Sequence, residues 1–368
     1  MVENSEFIAL LTLQNTPFLG DGSIKKLISI FGSAQEVLKQ SKNKLREVDG
    51  IGDHRLKCFG EEEWHTFAKA ESQRLEEFDI RYATYQDDHY PQRLKHCLDG
   101  PVILFYRGNI DWNNRRILSI VGTRKVTTYG QSFIDKLIAD LAPLNPIIVS
   151  GFAYGVDIHA HKAAVKHGLQ TVGVLAHGLN QMYPKVHAQY MAGVEKNGGF
   201  VTDFSTQTKF VHTNFLQRNR IIAGLSEATI VIESAAKGGS LVTADFANGY
   251  SRDVFAVPGR ADDKLSLGCN NLIKQSKAHL LTGAADLLYI LNWQIENDAP
   301  KVIQKQLFVE LNDEEKVIWK YLKEKEREQL DLIALHCNLP TFKIASLLLN
   351  MEMKGLVRAL PGKLFELI

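Results

Sequence analysis

An α/β fold is what this sequence predicts: a parallel sheet covered on both faces by helices, with a small helical domain before it and a small domain of helices and a hairpin after it. Three observations carry that prediction. Six apolar, β-branched runs alternate with helical stretches between residues 117 and 257, the pattern of strand–helix–strand units and hence of parallel pairing. Residues 1–75 hold short amphipathic helical text broken by glycine turns. Residues 307–368 hold three helical stretches and two short terminal apolar runs.

Taken in order, Leu10–Phe67 reads as short amphipathic helices, and Leu45-Arg-Glu-Val-Asp49-Gly50-Ile51-Gly52 reads as a helix and a Gly-x-Gly turn leading into another helix. Such a hairpin can offer backbone amides to a phosphate. Plain helical packing with Gly52 as a cap is the better-supported reading, because residues 1–114 carry a net charge of −4. The expected strands are Ile117–Val121, Ile147–Ser150, Thr171–Ala176, Gly199–Asp203, Ala228–Glu233 and Asp253–Val257, with helices such as Gln131–Leu141 and Val156–His167 between them. Together they make residues 80–295 a Rossmann-like domain. Glu296-Asn-Asp-Ala-Pro300-Lys breaks the pattern and marks a linker over 296–306. Beyond it, helical Glu314–Glu328, Leu330–Leu339 and Thr341–Lys354, then a hairpin from Gly355 to Ile368, predict a winged-helix-like domain over 307–368. Its third helix is apolar (Ile344, Leu347, Leu348, Leu349), so a structural or protein-contact role is as well supported as DNA reading.

A 368-residue chain that is 45% hydrophobic can build one large domain and one or two small ones. Met1-Val-Glu-Asn-Ser lacks a signal peptide's basic and apolar regions, and no run of about 18 apolar residues occurs. Cys58, Cys97, Cys269 and Cys337 are scattered and form no CxxC, which predicts neither a disulfide framework nor a zinc cluster. The expectation is a cytoplasmic protein without membrane contact, metal or cofactor. The formal net charge of +1 hides an asymmetry: −4 over residues 1–114, +6 over 115–295 and −1 over 296–368. Position decides whether that +6 is a solvated surface or a site.

In an open parallel sheet, ligands bind outside the carboxyl ends of the strands. Three successive strands end there in glycine turns: Gly122-Thr-Arg124-Lys125, Ser150-Gly151 through Gly155-Val-Asp157, and His177-Gly178. Each glycine also fits a tight turn without a ligand. Three on one edge, beside Arg124 and Lys125, make an anion-binding rim whose amides a phosphate can approach closely. A second concentration, Lys209-Phe210-Val-His212-Thr-Asn-Phe215-Leu-Gln-Arg218-Asn219-Arg220, interleaves basic and aromatic residues. Guanidinium groups pair with phosphates and aromatic faces stack on unpaired bases. The competing role for its arginines is an internal bridge to Asp203 or Glu233. A third turn, Lys237-Gly238-Gly239-Ser240, opens a helix and can also hold a phosphate.

These motifs closely resemble the DNA-processing protein A family (DprA or Smf) of bacteria. The matching text is Val121-Gly122-Thr-Arg124 with Tyr129-Gly130, Ser150-Gly151 through Asp157 and Ala160-His161, Tyr183-Pro184, Arg218 through Ser226, Gly239-Ser240-Leu-Val-Thr243, and Val254 through Gly259. The resemblance implies a sterile-alpha-motif-like N-terminal domain, an extended Rossmann fold and a C-terminal winged helix. It also implies a homodimer formed through the Rossmann domains, which coats incoming single-stranded DNA during natural transformation and helps load the RecA recombinase. Carried over by motif, the DNA contacts are Arg124 with its glycine turn, Ser150-Gly151, Gly178 and the Arg218–Arg220 segment. The chain departs from the family pattern at Leu216, at Gly238-Gly239-Ser240 and at Ser276-Lys277.

Two other readings compete. A nucleotide-processing hydrolase of the LOG-like Rossmann type would need a catalytic glutamate near a phosphate turn, and Glu233 is the comparable carboxylate. A protein-interaction adaptor would leave the sheet edge without a ligand. No Walker A, GxGxxG, HExxH or zinc-deaminase pattern is present. His159, His161 and Asp157 lie close together, but core or capping roles are the better reading without further ligands.

Overall fold

The computed structural model describes residues 5–112, 116–293, 311–325, 327–354, 356–360 and 363–367. The chain divides into two compact units, Met1–Ile295 and Glu296–Ile368. The expected linker over 296–306 lies outside the described residues.

The first unit opens with five helices, α1 (Ser5–Asn15), α2 (Asp21–Phe31), α3 (Ala34–Leu38), α4 (Lys42–Arg46) and α5 (Glu62–Glu77). Helix α1 is not amphipathic: Phe7 through Leu13 are all buried, as befits a central helix surrounded by its neighbours. Residues 53–60 after Gly52 form turns rather than the second helix of a hairpin, so no helix N-terminus stands there to receive a phosphate.

The sheet has nine strands: β1 (Arg81–Thr84), β2 (Ile103–Gly108), β3 (Ile117–Val121), β4 (Ile147–Ser150), β5 (Thr171–Val174), β6 (Gly198–Thr202), β7 (Ala228–Val231), β8 (Asp253–Ala256) and β9 (His279–Leu280). Their order is β1-β2-β6-β5-β4-β3-β7-β8-β9. Pairing from β6 to β9 is parallel throughout, and β1 and β2 add an antiparallel edge. The chain winds outward from β3 to β6, then returns to β7 on the other side of β3. The strand order therefore reverses between β3 and β7, where a crevice opens at the carboxyl ends. Between the strands run α6 (Gln92–Lys95), α7 (Thr128–Leu141), α8 (Val156–Lys166), α9 (Ala188–Lys196), α10 (His212–Leu225), α11 (Gly239–Gly249) and α12 (Leu267–Lys274), and α13 (Ala284–Ile290) follows β9.

Alternate strand residues face opposite layers. Ile117, Val121, Val149 and Val231 pack with α10, α11 and α12, while Leu118, Ile120, Ile148 and Ile230 pack with α7, α8 and α13. The core of the helical segment continues into Phe105, Leu175 and Phe200 of the α/β part. Strands β3 through β7 are buried along their whole length, which is why they read as unbroken apolar runs.

The second unit contains α14 (Asp313–Lys325), β10 (Arg327–Gln329), α15 (Leu330–Cys337), α16 (Thr341–Met353), β11 (Val357–Leu360) and β12 (Leu364–Leu367). Strand β10 pairs with β12 and replaces the end of the helix expected to run to Glu328. This second unit has its own core, including Ile318, Ile333, Leu348 and Val357.

Candidate nucleic-acid interface

At the reversal point, the loop after β3, the loop after β7 and the first turns of α10 enclose an open cleft of about 440 Å³. Arg124 and Lys125 stand exposed on one lip and Lys237 on the other; none of the three forms an ion pair among the described residues. Helix α11 starts in this cleft with Gly238 as its N-cap and no side-chain capping bond. Its first amides, at exposed Gly239, are therefore open to an anion. Asn219 Nδ2 donates to Gly239 O at 3.0 Å and fixes this turn from α10.

Next to the cleft stands an aromatic cluster. The Phe210 ring lies 4.7 Å from Tyr183 and 5.3 Å from Phe215; His177 lies beside Phe210 and His212 beside Phe215. Tyr183 and Phe210 are 42% and 44% exposed, far more than an apolar ring held only for packing requires. The Arg124 guanidinium sits 5.6 Å from the Phe215 ring and that of Arg218 6.0 Å from it, so one phenyl ring lies beside two cations.

Arg218 forms the cleft floor rather than its rim. It is 4% exposed, and its Nη1 donates to Gly151 O at 2.6 Å and to Val174 O, tying the ends of β4 and β5 together. Burial pushes its pKa down to about 10, against the pull of the Asp157 carboxylate. Its Nε has no hydrogen-bond partner among the described residues. Asp157, at the start of α8, is itself raised by burial and lowered in turn by Arg218.

Several expected contacts fall elsewhere. Arg220 points away from the cleft: its guanidinium is paired with Asp203 and, at 3.1 Å, with Asp21 of α2, and it donates to Asp99 O. Burial alone lowers its pKa, but the carboxylates of Asp203, Asp21 and Asp99 outweigh that and raise it. It bolts α10 to the helical segment. Ser150 is fully buried and its hydroxyl donates to Ile120 O at 2.6 Å, turned inward. Gly151 makes room for Arg218, whose guanidinium a Cβ there would strike. At buried Gly178 a Cβ would stand 2.6 Å from Ser205 O and Thr206 Cα, so this glycine seats a loop and offers nothing to a phosphate. Gly122 is likewise packed against Val156 and Glu233. Ser240 lines the cleft wall, but its hydroxyl donates to Ser234 Oγ at 2.9 Å. Lys209 is exposed beside Phe210 at the foot of α10.

Sequence reasoning did not single out Lys237 as a cationic lip or Tyr183 as a second exposed ring beside Phe210. The lysine was visible within its glycine turn; the tyrosine lies in a loop without periodicity. Glu233, the carboxylate of the hydrolase reading, is 3% exposed and accepts from Thr127 N at 2.9 Å and from Thr127 Oγ1. It anchors the start of α7 with both oxygens. His159 meets Asp135 at 3.0 Å, and His161 meets Thr171 Oγ1 at 2.7 Å. Asp157 instead accepts from Ala153 N, so the three do not converge on one point.

Fold and cleft together define a Rossmann-type α/β protein whose ligand edge is open, cationic and aromatic. The profile of the DNA recombination-mediator protein A family matches residues 81–292, and that of the DprA winged helix domain matches residues 308–363. The chain belongs to the DNA recombination-mediator protein A family. It is 38% identical over 202 residues to the DNA processing protein DprA of Streptococcus pneumoniae, covering 55% of this chain and 71% of that one. It is 32% identical over 290 residues to Protein Smf of Escherichia coli, covering 75% and 74%. The crystal structure of the Streptococcus pneumoniae DprA superposes with a TM-score of 0.64 at 28% identity over 78% of this chain and 98% of that one. A Helicobacter pylori DprA structure, described for its single-stranded DNA binding mode, superposes with a TM-score of 0.52 at 26% identity over 58% and 96%.

Proposed function

We propose that this chain binds single-stranded DNA along the carboxyl edge of its sheet, without catalysis, and that in the cytoplasm it protects incoming DNA and loads RecA onto it during natural transformation. The observation that carries the reading is the pairing of exposed Arg124 with the exposed rings of Phe210 and Tyr183 and the half-buried ring of Phe215 beside an uncapped helix start. Arg124, Lys125, Lys237 and the first amides of α11 neutralise phosphates, while the rings stack on bases that a duplex would keep paired. Neither contact reads a base edge, so binding is indifferent to sequence. Family membership supports the RecA partnership and a homodimer through the Rossmann part. For the dimer, β9 offers an outermost strand with Leu280 48% exposed and Tyr289 of α13 88% exposed.

The test is a gel shift with labelled single- and double-stranded oligonucleotides over a salt series. Tighter binding of the single strand, with log K falling linearly against log salt by about 0.7 per phosphate contacted, is the expected result. Equal affinity for both, or no salt dependence, would overturn it. The hydrolase reading loses ground because Glu233 holds Thr127; release of free base from a nucleoside monophosphate would reinstate it.

A further inference from the structure

The aromatic cluster depends on a loop that is held from outside the sheet. Residues 205–211 lead from β6 into α10 and carry Phe210. Within the loop, Ser205 Oγ meets Thr208 Oγ1 at 2.9 Å, and Asn214 Nδ2 donates to Lys209 O at 3.1 Å. Its base rests on Gly178, where no side chain fits. The strongest hold comes from Glu71 in α5. This carboxylate is fully buried and accepts from Thr206 N at 2.6 Å, from Thr206 Oγ1 at 2.7 Å and from Gln207 Nε2 at 3.3 Å. A buried carboxylate is retained only where such bonds replace its water. All three of these bonds go to the loop, 135 and 136 residues along the chain.

We propose that Glu71 is a positioning residue of the nucleic-acid interface: from the helical segment, it holds the 205–211 loop in the form that presents Phe210 to the strand. Glu71 touches no DNA; it acts through Thr206. Gln181 Nε2 reaches Thr206 O only at 3.5 Å, and the outer end of the loop is exposed at Phe210 and Val211, so without the carboxylate Thr206 N–H and the hydroxyl lose their partners together and the loop opens locally. The helical segment thereby becomes part of the binding machinery although it presents no phosphate site of its own. The inference rests on the single-strand reading above.

Full-length Glu71→Ala and Thr206→Val chains test it against wild type by three measurements: hydrogen exchange without DNA, thermal midpoint, and anisotropy titration with a labelled oligothymidylate. Both variants are expected to exchange faster over residues 204–211 while the sheet stays protected, and to bind about tenfold more weakly. In a Phe210→Ala background, the Glu71→Ala change should add little, because both act through one ring. Thr206→Val loses only the hydroxyl bond and decides the matter if Glu71→Ala unfolds the whole chain. Unchanged exchange over the loop, or a binding loss that adds fully to that of Phe210→Ala, overturns the proposal. A wild type that ignores the oligonucleotide overturns the single-strand reading instead, and the exchange measurement still decides whether Glu71 holds the loop.

Discussion

Arg124 has solvent on one side and the Phe215 ring on the other, 5.6 Å away, so its charge is available to a phosphate. Arg124→Ala should weaken single-strand binding by about 1–3 kcal/mol and flatten the salt dependence; titrations at several salt concentrations check this, and unchanged affinity and slope would favour an adaptor role. His161 makes the opposite use of its surroundings. Burial, with His187 and Arg218 nearby, pushes its pKa down to about 3 from the usual 6.5. Below about pH 6.5 the unfolded chain binds a proton that the folded chain refuses, so stability is lost at up to about 1.4 kcal/mol per pH unit down to the folded pKa. Unfolding midpoints between pH 7 and 4 should fall less steeply in His161→Gln than in wild type. Arg124 and Lys125 stood out in the sequence because they flank a glycine turn at a strand end, and Phe215 because it lies among basic residues in the 209–220 segment. For Arg220 the bridge to Asp203, 17 residues away, was legible as the competing role, whereas the second partner Asp21, 199 residues away, was not. The glycines at 151 and 178 were read as open turns, since sequence does not tell whether a missing Cβ admits a phosphate or a neighbouring protein atom.

Helix α10 divides its work between two faces. Phe215 and Arg218 belong to the cleft, while Arg220, barely half a turn further on, joins α10 to Asp21 of α2 and to Asp203 after β6. Arg220→Ala therefore takes the guanidinium from two partly buried carboxylates, Asp21 and Asp203, and should destabilise the first unit by about 3 kcal/mol, measured by denaturant unfolding, while the salt slope of DNA binding stays as in wild type. A changed slope with intact stability would return Arg220 to the interface. Between β4 and α8, Gly151→Ala drives a methyl into the Arg218 guanidinium and should cost about 1–3 kcal/mol of stability, with weaker binding following from the displaced cleft floor. At this scale the sequence was most informative where strands are buried on both faces: β3 and β4 fall on the expected residues, and the other four end within three residues of them. Strands β1 and β10 escaped because half-exposed Arg81–Thr84 and polar Arg327–Gln329 lack any apolar run; β2 carries one, Ile103–Phe105, but it lies outside the strand–helix alternation that begins at residue 117.

At the scale of the molecule, the sheet, its cleft and the helical segment share one compact unit, and residues 296–368 form another with a separate core. A chain ended at residue 295 should keep its single-strand affinity within about threefold; a larger loss would move the interface onto the second unit. The central claim, that a single strand lies on the carboxyl edge against the aromatic cluster, is tested most directly by photocrosslinking the full chain to an oligonucleotide carrying 5-iodouracil and sequencing the adducts. Adducts at Phe210, Phe215 or Tyr183 are the predicted result. Adducts confined to the opposite edge of the sheet, or to the second unit, would contradict it.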